Sequence, residues 1–227
     1  MKLAIMQPYI FPYIGYFQLI NAVDKFIFLD DVNYINKGWI NRNRIIVNGD
    51  IKYFCIPLEK ASQNSLINEI KFAKSNDFFV KFKTTIIQNY KKARYFDNVM
   101  PIIDSVFDNY LEKSLSDVSS QSIKMICQYL GINVEFRSSS MMQEKKILKG
   151  QDRIIEICIK SGANDYYNLS GGKELYNRET FNKNNINLYF LENRFLEYKQ
   201  NSKQFYPEVS IIDIVMHNSP QFIMENF

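Results

Sequence analysis

The sequence has little of the chemistry that most metal sites and catalytic triads require, because it contains only one histidine, His217. A histidine metal cluster and a His-based triad are therefore not expected, and we expect His217 to be structural. The three cysteines, Cys55, Cys127 and Cys158, are far apart and lie in apolar patterns. This pattern predicts buried free thiols in a cytoplasmic protein rather than a disulfide framework.

Long apolar runs and a strong charge imbalance are also absent. No stretch approaches the roughly 18 apolar residues that a membrane-spanning helix needs, so no membrane insertion is expected. The first apolar run is too short for a signal peptide, and Pro8 and Pro12 follow it closely. The net charge is +4, from 28 basic and 24 acidic residues of mixed position. Such a chain has no basic stripe for DNA, whereas a local basic cluster would suffice for a nucleotide.

The first 47 residues contain the pattern around which we expect the chain to be organised. Two short apolar runs, Lys2–Met6 and Lys25–Leu29, predict strands that are buried on both faces of a parallel sheet. Between them lie a loop rich in proline and aromatic residues and a stretch with helical spacing, Tyr16–Val23. Strands and helices continue to alternate along the chain, which predicts an α/β fold with a parallel-rich sheet of Rossmann-like type.

Two additions to this sheet are expected. The turn Asn48-Gly49 lies between β-branched runs and predicts a β-hairpin, because a tight primed turn needs positive φ values at its centre. Helical spacing predicts an inserted helical layer at about residues 77–130, with Pro101 in the first turn of its second helix. The polar stretch 138–150 predicts a loop. We expect a single α/β domain over residues 1–227.

The loops that follow the predicted strands are the candidate site, because ligands of open parallel sheets collect at the carboxyl ends of the strands. The aromatic rings of the first loop would form a flat wall for a sugar or a base, or would instead plug the core. A glycine at the helix start would let an anion approach the backbone N–H groups. The candidate binding residues of this loop are Gln7, Pro8, Tyr9, Tyr13, Gly15 and Tyr16.

An acid pair and a basic cluster follow the second predicted strand. Adjacent strand residues point to opposite sides, so one of Asp30 and Asp31 is expected to face the ligand as a general base or as a carboxylate for a hydroxyl or a metal. A turn at the strand end is the alternative interpretation. The candidate catalytic residues are Asp30, Asp31 and Lys37. The candidate binding residues are Trp39, Asn41, Arg42 and Arg44. We expect the arginines to bind phosphate. In an extended chain, the arginines and asparagines would face opposite ways.

A glycine pair follows a third predicted strand, in Ser170-Gly171-Gly172-Lys173. It predicts a tight turn or, alternatively, a backbone nest that binds an anion with Lys173 as the counter-charge. No base can be named for Ser170, so we do not expect it to be a nucleophile. Ser170, Gly171, Gly172 and Lys173 are therefore candidate binding residues only.

The longest motifs resemble those of the WbqC-like protein family, which is found in bacterial surface-polysaccharide gene clusters. They are Met6-Gln7-Pro8-Tyr9, Phe11–Phe17, Asp30-Asp31-Val32 and Trp39–Arg44, then Ser170-Gly171, and then Tyr198, Gln200, Phe205, Pro207, Ser210, Ile212 and Asp213. The resemblance spans nearly the whole chain and adds Tyr198 and Gln200 to the candidate binding residues. It implies a role in making or modifying O-antigen-type sugars.

The resemblance implies, as the activity, acyl or aminoacyl transfer to the amino group of a nucleotide-linked amino sugar. The partners would be that nucleotide sugar and a small acyl or aminoacyl donor. A non-catalytic binding or scaffold protein of the same pathway is the alternative, because the sequence contains no complete triad or metal motif. The sequence identifies no cofactor and leaves a homo-oligomer open.

A second resemblance concerns Tyr13-Ile14-Gly15-Tyr16, which lies between a strand and a helix as the HxGH signature does in HUP-type nucleotidyltransferases. Tyrosines stand where that signature has histidines. A phenol donates a hydrogen bond but brings no positive charge to a phosphate near neutral pH. An ATP-dependent amide ligase is thus a further alternative, and we expect no adenylation of ATP.

Overall fold

A computed structural model describes residues 1–74, 77–142 and 148–227. Its elements form two compact units, and each unit is assembled from three separate chain segments. The first unit comprises Met1–Gln7, Gly15–Asp30 and Ile132–Arg194, and the second comprises Pro8–Ile14, Asp31–Gly131 and Phe195–Phe227. A single domain over residues 1–227 stays a prediction. Residues 143–147, in the stretch predicted as a loop, lie outside the described residues.

In chain order, the helices and strands are β1 (Lys2–Met6), α1 (Ile14–Asn21), β2 (Lys25–Phe28), β3 (Arg42–Val47), β4 (Asp50–Cys55), β5 (Leu58–Glu59), β6 (Lys71–Phe72), α2 (Phe78–Tyr90), α3 (Phe96–Val106), α4 (Leu115–Leu130), β7 (Glu135–Ser138), α5 (Gly150–Lys160), β8 (Asp165–Leu169), α6 (Arg178–Lys183), β9 (Asn187–Leu191), α7 (Ile211–His217) and α8 (Pro220–Met224). Helices and strands alternate between β1 and β2 and again from β7 to β9, and a run of strands and a run of helices lie between these parts. None of these helices, within the described ranges, combines the length and the apolar composition that a bilayer-spanning segment needs.

The first unit is built on a five-stranded sheet in the order β7-β2-β1-β8-β9. All four strand pairings are parallel, so the predicted α/β fold with a parallel-rich sheet is confirmed. Counted along the chain, the strand order is 3-2-1-4-5, which is the order of the first five strands in Rossmann sheets. Beyond this order, the Rossmann-like type stays a prediction.

Apolar layers cover both faces of the sheet. On one face, Phe26 of β2 lies 5.4 Å from Tyr16 of α1, and Phe28 stacks on Phe136 of β7 at 5.3 Å between ring centres. On the other face, Ile27 belongs to a core that includes residues of α5 and α6. Because both faces are covered, these strands are almost continuously apolar, and the sequence pattern predicts them well.

The second unit contains the predicted hairpin and the predicted helices. Strands β3 and β4 pair antiparallel around Asn48 and Gly49, whose φ angles of 54° and 86° are the positive values that the turn requires. Helices α2, α3 and α4 occupy most of the stretch predicted to be helical. The rings of Phe79 and Phe82 in α2 lie 4.8 and 5.7 Å from the ring of Phe107, which follows α3. Aromatic packing thus joins α2 to the end of α3.

Two details of the sequence prediction are wrong. Pro101 lies inside α3 rather than in its first turn, because the buried face of the helix already includes Val99 and Met100. Cys55 is exposed, because it ends β4 on the outward side of the hairpin. The other two cysteines are buried as predicted, and burial raises the pKa of both thiols to about 12.

A capping box begins α4 and provides a test of local stability. Ser114 Oγ accepts a hydrogen bond from the backbone N–H of Asp117 at 3.1 Å, and the Asp117 carboxylate accepts one from the N–H of Ser114 at 3.0 Å. We predict that Ser114→Ala lowers the free energy of unfolding by about 1 kcal/mol, measured by urea denaturation. Ser105→Ala, at an exposed helical serine, is the control and should cost nothing. Equal losses in both variants would contradict the capping role.

Candidate functional site

The predicted site residues are divided between the two units. The first unit holds Gln7, Gly15, Tyr16, Asp30 and Ser170–Lys173, and the second holds Pro8, Tyr9, Tyr13, Asp31, Lys37, Trp39, Asn41, Arg42, Arg44, Tyr198 and Gln200. One crevice that gathers both sets stays a prediction.

In the first unit, the sheet brings three of the predicted segments to one edge. Gln7 follows β1, Asp30 lies two residues after β2, and Ser170 follows β8. These strands are neighbours and run parallel, so their carboxyl ends lie along the same edge. The chain order of the strands reverses between β1 and β8. Open α/β sheets bind ligands outside the carboxyl ends of the strands at such a reversal.

The carboxylate of Asp30 is held by the chain that follows β7. One oxygen accepts hydrogen bonds from the Ser140 N–H at 2.9 Å and the Ser139 hydroxyl at 3.1 Å, and the other accepts one from the Ser140 hydroxyl at 2.7 Å. A carboxylate offers about four acceptor positions, so most of them are occupied. Asp30 therefore joins the ends of β2 and β7, and its role as a general base stays a prediction. Sequence reasoning missed Ser139 and Ser140, because they lie more than a hundred residues further along the chain.

The segment predicted as an anion nest already holds a carboxylate. Ser170–Leu175 forms a 3₁₀ turn, and Lys173 Nζ lies 2.6 Å from a carboxylate oxygen of Glu192. Hydrogen bonds from Lys173 and then from Ser170 hold the pKa of Glu192 below its ordinary value. Sequence reasoning missed Glu192, although its position directly after the predicted strand β9 was a usable signal.

Part of the tyrosine signature at the start of α1 packs in the interior. Tyr16 is completely buried, and its hydroxyl donates a hydrogen bond to the carbonyl of Gln7 at 3.1 Å. Gly15 is buried in the first turn of α1. The Gln7 side chain is half-buried. The Tyr16 phenol therefore contributes to the first unit's interior rather than to an open surface.

In the second unit, the first loop is anchored through Phe11. Its ring is buried and its φ angle is +42°, a left-handed conformation that is rare for a bulky residue. Its N–H donates to Ser122 Oγ at 3.1 Å, and its carbonyl accepts from Asn43 Nδ2 at 2.6 Å and from Ser210 Oγ at 2.8 Å. The core-plug interpretation thus holds for Phe11, whereas Tyr9 and Tyr13 are half-buried and Pro8 is buried.

Asparagines and arginines of the hairpin face opposite ways, as the alternation of an extended chain requires. Asn41 is buried, donates to the carbonyl of Ile56 at 2.9 Å and accepts from the Tyr34 hydroxyl at 2.9 Å. Asn43 is buried as well and binds the Phe11 loop. These amides hold the hairpin and the loop in place, so Asn41 contributes to the interior of the unit.

On the opposite face of the hairpin, four side chains form what we call the hairpin platform: Trp39, Arg42, Arg44 and Tyr53. The rings of Trp39 and Tyr53 stack at 6.0 Å between centres. The Cζ atom of Arg42 lies 5.5 Å from the Trp39 ring and 5.4 Å from the Tyr53 ring, and that of Arg44 lies 5.1 Å from Trp39. Tyr53 was not a sequence candidate, although it pairs with Arg44 across the hairpin.

Both guanidinium groups of the platform are anchored to the backbone. A terminal nitrogen of Arg42 donates to the carbonyl of Lys37, and one of Arg44 donates to the carbonyl of Glu208 at 2.6 Å. Arg44 also lies 3.3 Å from the Glu208 carboxylate. The side chain of Lys37 is exposed. Arg42 and Arg44 of the predicted basic cluster therefore share one face of the hairpin, and the backbone of the exposed Lys37 lies beside Arg42.

Tyr198 and Gln200 belong to a buried network around Asp213 of α7. The Asp213 carboxylate accepts hydrogen bonds from the hydroxyls of Tyr198 at 2.6 Å and Tyr90 at 2.7 Å, and Gln200 donates to the Tyr198 oxygen at 3.1 Å. Burial raises the pKa of Asp213, and the two phenol hydrogen bonds oppose this effect. His217 contacts the Asp213 carbonyl through Nδ1 at 2.8 Å, which gives it the structural position expected. This network ties Tyr198 and Gln200 to α7, and the half-buried Tyr198 also lines a small pocket with Ser210 and Ile214.

Residues 7–225 match the family model of the WbqC-like protein family. The chain belongs to this family. The WbqC-like chain is also similar to the uncharacterized protein Rv1507c of Mycobacterium tuberculosis, with 26% identity over 224 residues, which cover 95% of this chain and 93% of that protein. No solved structure matches the chain. The family resemblance that the motifs indicate is thus confirmed.

The buried Asp213 carboxyl provides a test of pH dependence. Its pKa in the folded state is above the ordinary 3.8, so between the two values the folded chain binds more protons than the unfolded chain. The free energy of unfolding should therefore fall as the pH rises through this interval. Asp213→Asn, which is neutral at every pH, should show a smaller fall in the free energy of unfolding as the pH rises above the ordinary aspartate pKa of 3.8, measured by urea denaturation.

The control for this prediction is Asp108→Asn, at an exposed aspartate. It should keep the pH slope of the unchanged protein. Parallel pH curves for Asp213→Asn and the unchanged protein would show that the Asp213 proton does not contribute to stability.

Proposed function

We propose that this WbqC-like protein transfers an acyl or aminoacyl group to the amino group of a nucleotide-linked amino sugar for a bacterial surface polysaccharide. The observation that carries the proposal is the reversal of strand order between β1 and β8, with polar residues along the same carboxyl edge. Open α/β sheets bind small ligands at this position. The resemblance of the motifs to a family found in polysaccharide gene clusters supports the pathway.

At this edge, Glu192 supports a sugar as the ligand better than a phosphate. A phosphate at Ser170–Lys173 would meet the ionised Glu192 carboxylate, which already neutralises Lys173. An ammonium group or a sugar hydroxyl would instead donate to that carboxylate. Lys173 and Ser170 keep Glu192 ionised and in position. We therefore assign the acceptor sugar, rather than a phosphate group, to this edge.

In the proposed reaction, the lone pair of the sugar nitrogen attacks the carbonyl carbon of an activated acyl donor. A C–N bond forms, and the bond between that carbon and the leaving group of the donor breaks. The nitrogen gives up one proton, which a base accepts and passes to the leaving group. The sequence candidates for this proton transfer are Asp30, Asp31 and Lys37. The hydrogen bonds on Asp30 occupy most of its acceptor positions, which reduces its capacity to accept a proton.

A non-catalytic binding protein of the same pathway is the second candidate function. The engagement of Asp30 by Ser139 and Ser140 favours it, because the acid that follows β2 then serves the architecture of the sheet. Ligand binding at the carboxyl edge without turnover would distinguish this candidate from the transferase.

The transferase is tested by incubating the full chain with nucleotide-linked amino sugars and a panel of acyl and aminoacyl donors, with mass spectrometry of the sugar product. We predict that Glu192→Gln lowers kcat/KM by about tenfold or more, because a hydrogen bond to a charged group is lost. Glu174→Gln, at an exposed glutamate of the same 3₁₀ turn, is the matched control and should stay active. Equal rates in both variants would argue against a sugar at Glu192.

The ligase alternative makes a different prediction. Tyr16 donates its hydroxyl to Gln7, and neither phenol of the signature brings a positive charge to a phosphate. We predict no pyrophosphate release from ATP with magnesium and a panel of amino and carboxylic acids. Robust release that disappears in Tyr13→Phe, a variant at a half-buried position, would instead favour the ligase.

A further inference from the structure

The hairpin platform exposes aromatic surface that the packing of the second unit does not use. Trp39 is 41% exposed and Tyr53 is 58% exposed. Large aromatic side chains usually bury most of their area. Arg42 lies against both rings and Arg44 against Trp39, with their guanidinium groups tied to backbone carbonyls. The rings are thus held in place while part of their surface remains open.

The same surface carries an excess of positive charge. Arg42 and Arg44 supply two cations, the exposed Lys37, whose carbonyl holds Arg42, supplies a third, and Glu208 beside Arg44 supplies one acid, which leaves three minus one, or two, positive charges. Within residues 1–74, 77–142 and 148–227, neither Lys37 nor Arg42 has an acidic partner. An anion can therefore approach Lys37 and Arg42 without displacing a carboxylate. At Lys173, an anion would have to displace Glu192.

We propose that the hairpin platform binds a nucleoside diphosphate, an inference that goes beyond the proposed function. The base stacks on the open surface of Trp39 and Tyr53, and the phosphates contact Arg42 and Lys37. A neutral sugar would leave the charge excess unused, and inorganic phosphate would leave the rings unused. A nucleotide uses both features.

The charge of the whole chain favours a nucleotide over a longer nucleic acid. The net charge is +4, and basic and acidic residues are interspersed along the sequence. Binding of a nucleic-acid strand depends mainly on many phosphate contacts along a basic surface. Two stacked rings with two excess charges fit one base and one diphosphate.

The experiment uses the fact that Trp39 is the only tryptophan of the chain, so tryptophan fluorescence reports on the platform alone. The full chain is titrated with ADP, GDP and UDP, with excitation at the red edge of tryptophan absorption. At least one diphosphate should quench the fluorescence saturably. The matching nucleoside and inorganic pyrophosphate should each bind more weakly than the diphosphate by about tenfold or more, because each lacks one of the two contacts.

Two matched variants separate this site from general charge effects. Arg42→Lys keeps the charge but loses the planar guanidinium, and should weaken diphosphate binding by about tenfold. Arg94→Lys is the control, because Arg94 is exposed and also lies over a ring, with Cζ 5.6 Å from the centre of Tyr95. It should bind as the unchanged chain does. Circular dichroism checks that both variants are folded.

The absence of saturable quenching by every diphosphate, or equal effects of the two variants, would overturn the inference. Tighter binding of pyrophosphate alone, or of a single-stranded oligonucleotide, would also overturn it. Failure of the proposed function has a different outcome. If acylated product forms but no diphosphate quenches the fluorescence, the platform inference is wrong and the transferase is supported. If a diphosphate quenches the fluorescence but no product forms, the transferase is wrong and the platform inference is supported.

Discussion

Parallel pairing of β1 with both β2 and β8 is the constraint on which the rest of the structure depends. Parallel neighbours cannot be joined by a tight turn, so every connection in this sheet must cross from one end to the other. The connection from β2 to β7 contains Asp31–Gly131, the largest segment of the second unit. This crossover between two adjacent strands thus supplies the hairpin and helices α2, α3 and α4 of the second unit.

Features that depend on a few consecutive residues could be predicted from the sequence. The strands buried on both faces, the turn at Asn48-Gly49 and the helix Leu115–Leu130, which ends at Gly131 with a φ of 76°, all carry local signals. Contacts between distant residues could not be predicted. Glu192 at Lys173, and Ser139 and Ser140 at Asp30, depend on the order of strands in the sheet, which no local pattern encodes.

Some motif residues support the fold and others face outward, and the sequence does not distinguish the two roles. Asn43 and Ser210 both bind the carbonyl of Phe11, and Tyr198 and Gln200 belong to the network of the buried Asp213. Buried polar groups need hydrogen-bond partners, so such residues are as constrained as those that contact a ligand. Much of the motif set therefore maintains the left-handed Phe11 backbone and the buried carboxylate, and a smaller part faces outward.

The partners of a cation distinguish a surface that is open to an anion from one that is already neutralised better than the residue types do. Besides the helix start at Gly15, the sequence offers two places where a cation would meet an anion, the glycine turn with Lys173 and the basic cluster of the hairpin. At the glycine turn, the Glu192 carboxylate already satisfies Lys173 and Ser170. On the hairpin, Arg42 is anchored by a backbone carbonyl, which fixes its geometry and leaves its charge uncompensated among the described residues. An acid partner neutralises a cation, whereas a carbonyl only orients it, and this difference favours the hairpin as the proposed anion site.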